Sequence, residues 1–329
     1  MTGLEPHVAA AIGSSGARIV ITGASGWIGM ATLDLLNAVL GPDLPDRVKC
    51  FGSNRRALTL SDGTSIEQRA LADLATLTHA PTMVLHFAFL TKDRAETMDE
   101  TAYRSANGAL GQTLLDALDP IGAEAIFVAS SGAAGRANDP QASPAMRLYG
   151  ALKLEQEEMF ARWAEQRGRR AVIARIFNIS GPQINKQDSY ALATFINDAL
   201  GGRPISIRAS HRVIRSYVAV RELMSLVFAM LLDGKREVGR FESGGEPMEM
   251  QQIAETVASH FGTIAVRRPP LMPAADDHYA GDDRHYRALL AEYRIKPVPF
   301  ERQVIETVDF LASCPARSPG RRVVSPPPP

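Results

Sequence analysis

The chain has 329 residues, of which 45% are hydrophobic and 22% are charged, with 36 Lys plus Arg and 36 Asp plus Glu. This composition is typical of a globular protein that buries a sizeable core. A formal net charge of zero gives no electrostatic reason to expect nucleic acid or an anionic membrane as the main partner. We therefore expect neither nucleic acid nor a membrane among its partners.

Cysteine content and the two chain ends favour a cytoplasmic protein. Cys50 lies in an apolar run and Cys314 in a Pro-rich region, and two isolated cysteines favour a reducing compartment. Residues 1–16 have no Lys or Arg before a short Ala-rich stretch, so they make a poor signal peptide. The longest apolar run, 223–232, is about half as long as a bilayer span requires. We predict a flexible segment at 1–16 and a disordered Pro-rich tail at 312–329.

Apolar, β-branched runs alternate with helical periodicity through the first half of the chain. The pattern predicts strands at 18–22, 48–51, 83–90, 125–129 and 171–177. It predicts helices at 30–40, 103–118 and 149–166. The continuous apolar character of 83–90 suits a parallel strand that is covered on both faces. This alternation indicates an α/β protein with a doubly wound parallel sheet.

The rhythm changes after Gly181-Pro182. Helical stretches at 191–200, 220–232 and 250–261 are separated by short strand-like pieces such as 205–207. We predict a sheet domain over 17–180 and a smaller C-terminal α/β substrate domain, mainly at 181–311. A segment near 214–235 is expected to return to the core of the sheet domain.

A glycine-rich turn joins the first strand to the first helix and reads Thr-Gly-Ala-Ser-Gly-Trp-Ile-Gly over residues 22–29. Glycine permits a tight turn, close contact between backbone and pyrophosphate, and close packing of helix on strand. The helix N-terminus attracts the phosphate charge. A glycine turn without a ligand is the alternative, but the strand before it and the helix after it favour dinucleotide binding. The predicted contacts are Gly23, Ser25, Gly26, Trp27, Ile28 and Gly29.

The end of the second strand favours NADP as the cofactor. An NAD enzyme usually places Asp or Glu there to bind the ribose hydroxyls, whereas this chain reads Gly-Ser-Asn-Arg-Arg over residues 52–56. An arginine suits a 2′-phosphate. We therefore assign Ser53, Asn54 and Arg55 to the cofactor and keep NAD as the second choice. The alternative is that both arginines are solvated loop residues.

Two groups of residues predict acid–base chemistry. Tyr149 and Lys153 are four apart in a predicted helix, so they share one helix face. A nearby ammonium, or the positive ring of an oxidised nicotinamide, would stabilise the phenolate and let Tyr149 act near neutrality. Ser130 and Ser131 end the strand at 125–129, on the edge where a doubly wound sheet faces its ligand crevice. A serine there can hydrogen-bond a substrate carbonyl, and a strand-ending Ser-Ser turn is the alternative.

These motifs occur in the order typical of the extended short-chain dehydrogenase/reductase family. The chain resembles that family in the turn at 22–29, His86-Phe87-Ala88 at a strand end, the serines, Tyr149-x-x-x-Lys153, Arg175-x-x-Asn178-x-x-Gly181-Pro182, and Arg215 before an aromatic and a Val-rich strand. The likeness covers about residues 17–311. It is greatest for the nucleotide-sugar epimerases, dehydratases and 4-ketoreductases of the NAD-dependent epimerase/dehydratase branch. It implies a Rossmann-like dinucleotide-binding domain at 17–180, a nucleotide-sugar substrate and, by family habit, a homodimer.

The resemblance also implies roles for individual residues. Ser130 would hold the substrate oxygen, with Ser131 as the alternative one register position away. Tyr149 would be the acid and base. Lys153 would bind the nicotinamide ribose and lower the pKa of Tyr149. The remaining contacts would be Ser131, Asn178 and Arg215 to the substrate, Arg215 through its diphosphate, and Ala88 and Asp73 to the cofactor.

Departures from the family pattern narrow the function. Ser131-Gly132 stands where dehydratases carry the acidic pair that removes water, so dehydration is disfavoured. Two hypotheses remain within the family: a 4-epimerase that keeps its cofactor, and an NADPH-dependent 4-ketoreductase that exchanges it. A non-catalytic dinucleotide sensor or scaffold is the alternative from another class. The segment 275–285 contains metal-ligand types, but we expect a solvated acidic turn and no metal.

Overall fold

A computed structural model describes residues 3–314 of the chain. Its α-helices are α1 Pro6–Ser14, α2 Trp27–Leu40, α3 Leu44–Arg47, α4 Lys92–Ala95, α5 Glu100–Leu118, α6 Pro144–Arg167, α7 Ala191–Leu200, α8 Val220–Leu232, α9 Met250–Phe261, α10 Asp283–Glu292 and α11 Phe300–Ser313. No helix within this part of the chain combines the length and the apolar composition needed to cross a membrane.

The strands alternate with these helices and form one large sheet and three small ones. They are β1 Arg18–Thr22, β2 Val48–Gly52, β3 Arg56–Thr59, β4 Ser65–Ala70, β5 Thr82–His86, β6 Ala123–Ser131, β7 Arg170–Ile176, β8 Ile179–Ser180, β9 Ile205–Ser206, β10 Val213–Arg215, β11 Val218–Ala219, β12 Val238–Glu242, β13 Met248–Glu249, β14 Val266–Arg267 and β15 Asp277–Tyr279.

The large sheet has the strand order β12-β7-β6-β5-β1-β2-β4-β3. All neighbouring strands in it are parallel except β3, which runs antiparallel to β4 at the edge. The strand order reverses direction at β1, which lies between β2 and β5, and such a switch point opens a ligand crevice at the carboxyl ends of the strands. The prediction of an α/β fold with a doubly wound parallel sheet is confirmed.

Helices cover both faces of the large sheet, which explains why its central strands are apolar without alternation. In β1, Ile19 and Ile21 belong to the same core as residues of α2 and α8. Val20, between them, belongs to a second core with residues of α5 and α6 on the opposite face. Successive strand residues point to opposite faces, so a single strand supplies both cores.

The second half of the chain forms the three small sheets, ordered β13-β10-β15, β11-β8 and β14-β9. It also returns to the large sheet, because β12 pairs in parallel with β7. The sequence prediction placed such a return near 214–235, and β12 follows that segment.

The N-terminal segment is helical, so the prediction of a flexible lead-in is wrong. Helix α1 begins at Pro6 and buries Val8 and Ile12, which join the core that includes α8. The backbone N–H of Glu5 donates to Ser225 Oγ at 3.1 Å and ties the start of the helix to α8. One short apolar stripe is a weak sequence signal, because so short a helix depends on its tertiary partner.

Two further boundaries and one hairpin differ from the sequence prediction. Helix α11 continues to Ser313, so the tail predicted at 312–329 does not begin at 312, and residues 315–329 of it lie outside the described residues. The strand predicted at 83–90 ends at His86. Beyond it the backbone N–H of Leu90 donates to Asn107 Oδ1 at 2.8 Å, in an irregular loop. The hairpin of β3 and β4 was not predicted.

Candidate functional site

Two glycines of the turn between β1 and α2 have no room for a side chain. Gly23 has a φ of +72°, and a Cβ there would lie 2.6 Å from the backbone nitrogen of Ala88. A Cβ at Gly29 would lie 2.5 Å from the carbonyl oxygen of Ala24. Both distances are shorter than a real Cβ contact, so these glycines are required for packing. They bring α2 against β1 and place Ala88 beside the turn.

Gly26 has a different reason to be glycine. It is the N-cap of α2 with φ −77° and ψ 171°, a conformation that any residue adopts. A Cβ there would contact only the Gly23 carbonyl oxygen, at 3.3 Å. No side chain of the described residues caps this end of the helix, so the first-turn N–H groups are available to an anion. The turn therefore fits a phosphate group of a dinucleotide.

Of the other residues predicted to contact the cofactor in this turn, two have side chains that pack against the protein and one is partly exposed. Trp27 is buried, and its indole Nε1 donates to the carbonyl of Pro182 at 2.8 Å. Its ring meets Tyr190 edge to face at 5.0 Å between centroids. Ile28 packs partly on the core, whereas Ser25 is partly exposed. Trp27 therefore links the turn to the second half of the chain with its side chain and leaves only its backbone to a ligand.

The residues predicted to contact the adenosine half of the cofactor lie beyond the ends of β2 and β4; they are Ser53, Asn54, Arg55 and Asp73. Ser53 and Asn54 are exposed. Arg55 forms an ion pair with Glu67 at 2.6 Å, with the two side chains 73% and 52% exposed. The hydrogen bond and charge of Glu67 raise the pKa of Arg55, and Asp73 contributes a smaller part of the shift. The charges of Glu67 and Asp73 therefore both favour the protonated form of Arg55.

Helix α6 presents a buried lysine to the end of β6. Lys153 is 5% exposed, and its Nζ donates to the carbonyl of Ala129 at 2.7 Å. The same ammonium lies 3.9 Å from the centroid of the Phe89 ring, a favourable cation–π position. Burial lowers the pKa of Lys153 to about 7, and the charge of Glu157 opposes this shift. The lysine is therefore fully charged only below that pH.

Tyr149 lies one turn earlier on the same face of α6 and is half-buried. Its ring packs edge to face on Phe89, 5.6 Å between centroids. Burial raises the pKa of the Tyr149 phenol above its usual value, and a hydrogen bond from Ser131 opposes the rise. The expected lowering by Lys153 is not seen, since Nζ lies 6.0 Å from the ring centroid and burial dominates. Ionisation of Tyr149 near neutrality therefore requires more positive charge beside the phenol.

Ser131, rather than Ser130, faces Tyr149. The Ser131 hydroxyl interacts with Tyr149 and lies 3.3 Å from Tyr279 Oη. The Ser130 hydroxyl donates in the other direction, to the buried carboxylate of Glu157. Consecutive strand residues point to opposite faces, so the geometry favours Ser131, the alternative given beside Ser130, as the hydroxyl near Tyr149.

Glu157 organises the space behind this strand end and was not predicted. It is 1% exposed and accepts from Ser130 and from Arg175, whose Nε and Nη2 lie 3.0 and 2.8 Å from its two oxygens. Its charge also favours the protonated form of Lys153. The sequence contained a signal for this residue, because Tyr149, Lys153 and Glu157 follow one another at four-residue intervals on one helix face.

His86 is a buried, packed residue beside the glycine turn. Its Nδ1 lies 2.7 Å from Thr22 Oγ1, and its ring packs on Phe160 at 5.2 Å between centroids. Burial, together with the charge of Lys153, lowers the pKa of His86 to about 3. The imidazole is therefore neutral, and it joins β5 to β1.

Asn178 and Arg215, which were predicted to contact the substrate, both form hydrogen bonds within the chain. Asn178 Nδ2 donates to the carbonyl of Ser216 at 3.0 Å. Arg215 donates to the Asp277 carboxylate at 2.6 Å and to its carbonyl at 2.9 Å. Burial acts to raise the pKa of Asp277, but the hydrogen bond and charge of Arg215 hold it below the usual value. The charge of Arg215 is therefore already compensated within the chain.

The segment 275–285 does not form the solvated turn that was predicted. Strand β15 pairs in parallel with β10, with Arg215 opposite Tyr279. The Tyr279 phenol thereby approaches Ser131, and its ring packs on Phe177 at 4.7 Å between centroids. No signal in the sequence pointed to Tyr279, because it stands among acidic residues. In addition, its strand forms only by pairing with β10, which is distant in the sequence.

The comparisons with known proteins agree with this arrangement. A family model described as the NAD dependent epimerase/dehydratase family matches residues 19–241. The probable UDP-glucuronate 4-epimerase of Rhizobium meliloti is 25% identical over 297 residues, which cover 79% of this chain and 86% of that protein.

Solved structures extend the similarity over most of the described chain. The UDP-N-acetylglucosamine 4-epimerase of Methanobrevibacter ruminantium, in complex with UDP-N-acetylmuramic acid, has a TM-score of 0.68 at 21% identity over 90% of this chain and 98% of its own. The UDP-glucose 4-epimerase of Thermus thermophilus, in complex with NAD, has a TM-score of 0.67 at 22% identity over 90% and 99%. At these identities the likeness shows the shared fold.

The open position at Gly26 predicts a variant that folds but does not bind a dinucleotide. In Gly26→Val the backbone conformation is retained, while the branched side chain occupies the space in front of the first-turn N–H groups. We expect calorimetry to show no binding of NAD or NADP and thermal unfolding to remain close to that of the parent. Gly29→Ala is the matched control for packing, and it should lose stability because of its contact with Ala24. Unchanged dinucleotide affinity in a folded Gly26→Val protein would contradict the assignment.

Proposed function

This chain belongs to the NAD dependent epimerase/dehydratase family, and we propose that it is a nucleotide-sugar 4-epimerase acting through Tyr149, Lys153 and Ser131. The observation that carries the proposal is the meeting of three groups at one edge of the sheet. The Ser131 hydroxyl faces the Tyr149 phenol, and the buried Lys153 ammonium lies one helical turn away. The relative from Rhizobium meliloti, named as a probable UDP-glucuronate 4-epimerase, supports reaction at the sugar 4-position.

The described residues fit a dinucleotide along the carboxyl edge of the sheet. The first turn of α2 would hold the pyrophosphate. Ala88 would line the path of the dinucleotide. Tyr149 and Lys153 would contact the nicotinamide ribose. When bound, the nicotinamide takes a hydride from the sugar carbon and returns it, which is the redox chemistry that epimerisation at that carbon requires.

The side chains of this chain would control the proton and the oxygen. Tyr149 would accept the proton of the sugar 4-hydroxyl as the carbon is oxidised, and donate it back as the carbon is reduced. Ser131 would donate a hydrogen bond to the same oxygen while it is a carbonyl. Lys153 in its protonated form would supply part of the positive charge that the raised pKa of Tyr149 demands.

The proposal includes a preference for NADP and a homodimer. Arg55 lies just beyond the end of β2, in the segment where a carboxylate would favour NAD, and its ion pair with Glu67 is exposed. An exposed pair of this kind contributes little, so Arg55 is free to turn to a 2′-phosphate. NAD remains the second choice. The homodimer follows from family habit, and sedimentation equilibrium should give twice the mass of the chain.

Removal of one hydroxyl tests the catalytic assignment. Tyr149→Phe keeps the ring that packs on Phe89, so folding and dinucleotide binding should survive. We expect 4-epimerisation of UDP-glucuronate or UDP-glucose to slow by about 10²–10⁴-fold, the range for loss of a general acid–base. Lys153→Met should also lose activity and should in addition weaken dinucleotide binding. A folded Tyr149→Phe protein with parental turnover would refute the mechanism.

A pair of serine variants tests the register of the strand end. Ser131→Ala removes the hydroxyl beside Tyr149 and should slow turnover by roughly 10–100-fold, as expected for one hydrogen bond to a reacting oxygen. Ser130→Ala should change turnover only a few-fold, because Glu157 keeps its ion pair with Arg175. Steady-state kinetics of the two variants side by side provide the measurement. The reverse order of effects would restore Ser130 as the residue on the substrate oxygen.

Arginine substitution tests the cofactor preference. In Arg55→Ala with Arg56→Ala, the affinity for NADP should fall by roughly 10–100-fold through the loss of charge-assisted contacts, with a smaller change for NAD. Titration of both cofactors into parent and variant measures the ratio of affinities. Arg69→Ala, which removes a neighbouring arginine from β4, is the control for general electrostatics. Equal losses for NADP and NAD would eliminate the 2′-phosphate assignment.

A further inference from the structure

Arg136 is a cation beside the site with unused hydrogen-bond donors. It ends the 3₁₀ segment Gly132–Arg136, which follows Ser131 directly. Its Nη2 donates to the carbonyl of His278 at 2.6 Å, and its guanidinium carbon lies 5.5 Å from the centroid of the Tyr279 ring. Within residues 3–314 its Nη1 and Nε make no hydrogen bond, and no carboxylate lies within ion-pair distance of it.

The neighbouring cations differ from Arg136 in having acidic partners. Arg215 is paired with Asp277 at 2.6 Å. Arg175 is paired with Glu157 at 2.8 Å. Among the described residues Arg136 belongs to no ion pair; its charge helps to lower the pKa of Asp277, but that carboxylate is paired with Arg215. A backbone carbonyl and an aromatic face hold this guanidinium in place without neutralising it.

Tyr279 lies between Arg136 and Ser131 and relates their positions. Tyr279 Oη lies 3.3 Å from Ser131 Oγ, and the guanidinium lies beside the same ring. If Ser131 binds the 4-oxygen of a sugar, the Arg136 guanidinium is separated from that oxygen by about the width of the Tyr279 ring. In a hexose the substituent on carbon 5 is the next group along the ring from carbon 4. A planar guanidinium with free donors matches a carboxylate in that position.

We propose that Arg136 makes this site selective for nucleotide sugars that carry a carboxylate on the sugar ring, that is, nucleoside-diphosphate hexuronates. The proposal rests on the 4-epimerase function proposed above, because it takes Ser131 as the contact of the 4-oxygen. It goes further in naming the substrate class and the residue that selects it. The carboxylate would pair with the free edge of the guanidinium, while a neutral hydroxymethyl group would leave that charge uncompensated.

Binding of two matched sugars tests the proposal without turnover. UDP-glucuronate and UDP-glucose share their base, diphosphate and ring configuration and differ only in the group on carbon 5. Calorimetry on the full chain loaded with dinucleotide should show tighter binding of UDP-glucuronate. In Arg136→Ala the affinity for UDP-glucuronate should fall by about 10–100-fold, while the affinity for UDP-glucose changes by less than about threefold. Arg136→Lys should recover only part of the loss, because it keeps the charge without the fork.

A second arginine variant controls for general electrostatics. Arg212 lies 3.6 Å from Asp276 and is 57% exposed, so Arg212→Ala removes one positive charge without touching Tyr279. The ratio of the two affinities should stay at the parental value in this variant. An equal change of the ratio in Arg212→Ala and Arg136→Ala would overturn the proposal. An equal loss of affinity for both sugars in Arg136→Ala would also overturn it. The proposal would equally fail if the parent protein bound UDP-glucose at least as tightly as UDP-glucuronate, or bound neither sugar.

The two proposals fail in different ways. A parent protein that binds UDP-glucuronate through Arg136 but does not epimerise it would refute the 4-epimerase function and keep Arg136 as the carboxylate contact. A parent protein that epimerises both sugars, with a preference that Arg136→Ala does not change, would keep the function and overturn the role of Arg136. Turnover of both sugars, followed by NMR of the products, separates these results.

Discussion

The burial of the Lys153 ammonium is the constraint on which the rest of the site depends. Removing an ammonium from water is unfavourable by on the order of several kcal/mol unless protein groups replace the hydration. The replacements are the carbonyl of Ala129, the face of Phe89 and the charge of Glu157. The first of these is in β6, so the lysine fixes the end of that strand as well as its own position. Glu157 adds a second attachment through Ser130, and the next residue, Ser131, is thereby directed towards Tyr149.

The order of the parallel strands brings the other half of the site to the same edge. Thr22 pairs with His86, and His86 pairs with Val128, so the three strands end at nearly the same height. The chain then leaves β1 through the glycine turn and β5 through Ala88. Gly23 lets these two segments touch, and the neutral His86 joins their strands below. The proposed dinucleotide path and the proposed position of the catalytic tyrosine would therefore both follow from a single strand order.

Local patterns predicted the parts of the fold that depend on neighbours in sequence, and they failed where distant segments decide. The strands around β1 and the helices α5 and α6 follow from continuous apolar runs and helical spacing. The direction of the serine hydroxyls cannot be predicted from such patterns, because Ser130 and Ser131 exchange roles if the strand shifts by one residue. The role of Arg215 depended on Asp277, 62 residues away. Helix α1 depended in the same way on α8, and Tyr279 on the pairing of β15 with β10.

The two halves of the site are controlled by different elements and meet at one hydroxyl. Tyr149 and Lys153 are carried by α6 and fixed against β6, which belongs to the large sheet. Tyr279 is carried by β15, which belongs to a small sheet held by β10 and by the pair of Arg215 with Asp277. Ser131 lies 3.3 Å from the Tyr279 hydroxyl and opposes the rise in the pKa of Tyr149, so under the proposed function it would join the proton-transfer residue to the part of the site that holds the sugar. Within the described residues β15 pairs with β10 and with no strand of the large sheet. If this part of the site holds the sugar as proposed, changes in the sequence of β15 would alter the sugar that is accepted and leave the turn at Gly26 and the face of α6 unchanged. The proposed substrate preference of this chain would therefore be separable from its proposed chemistry.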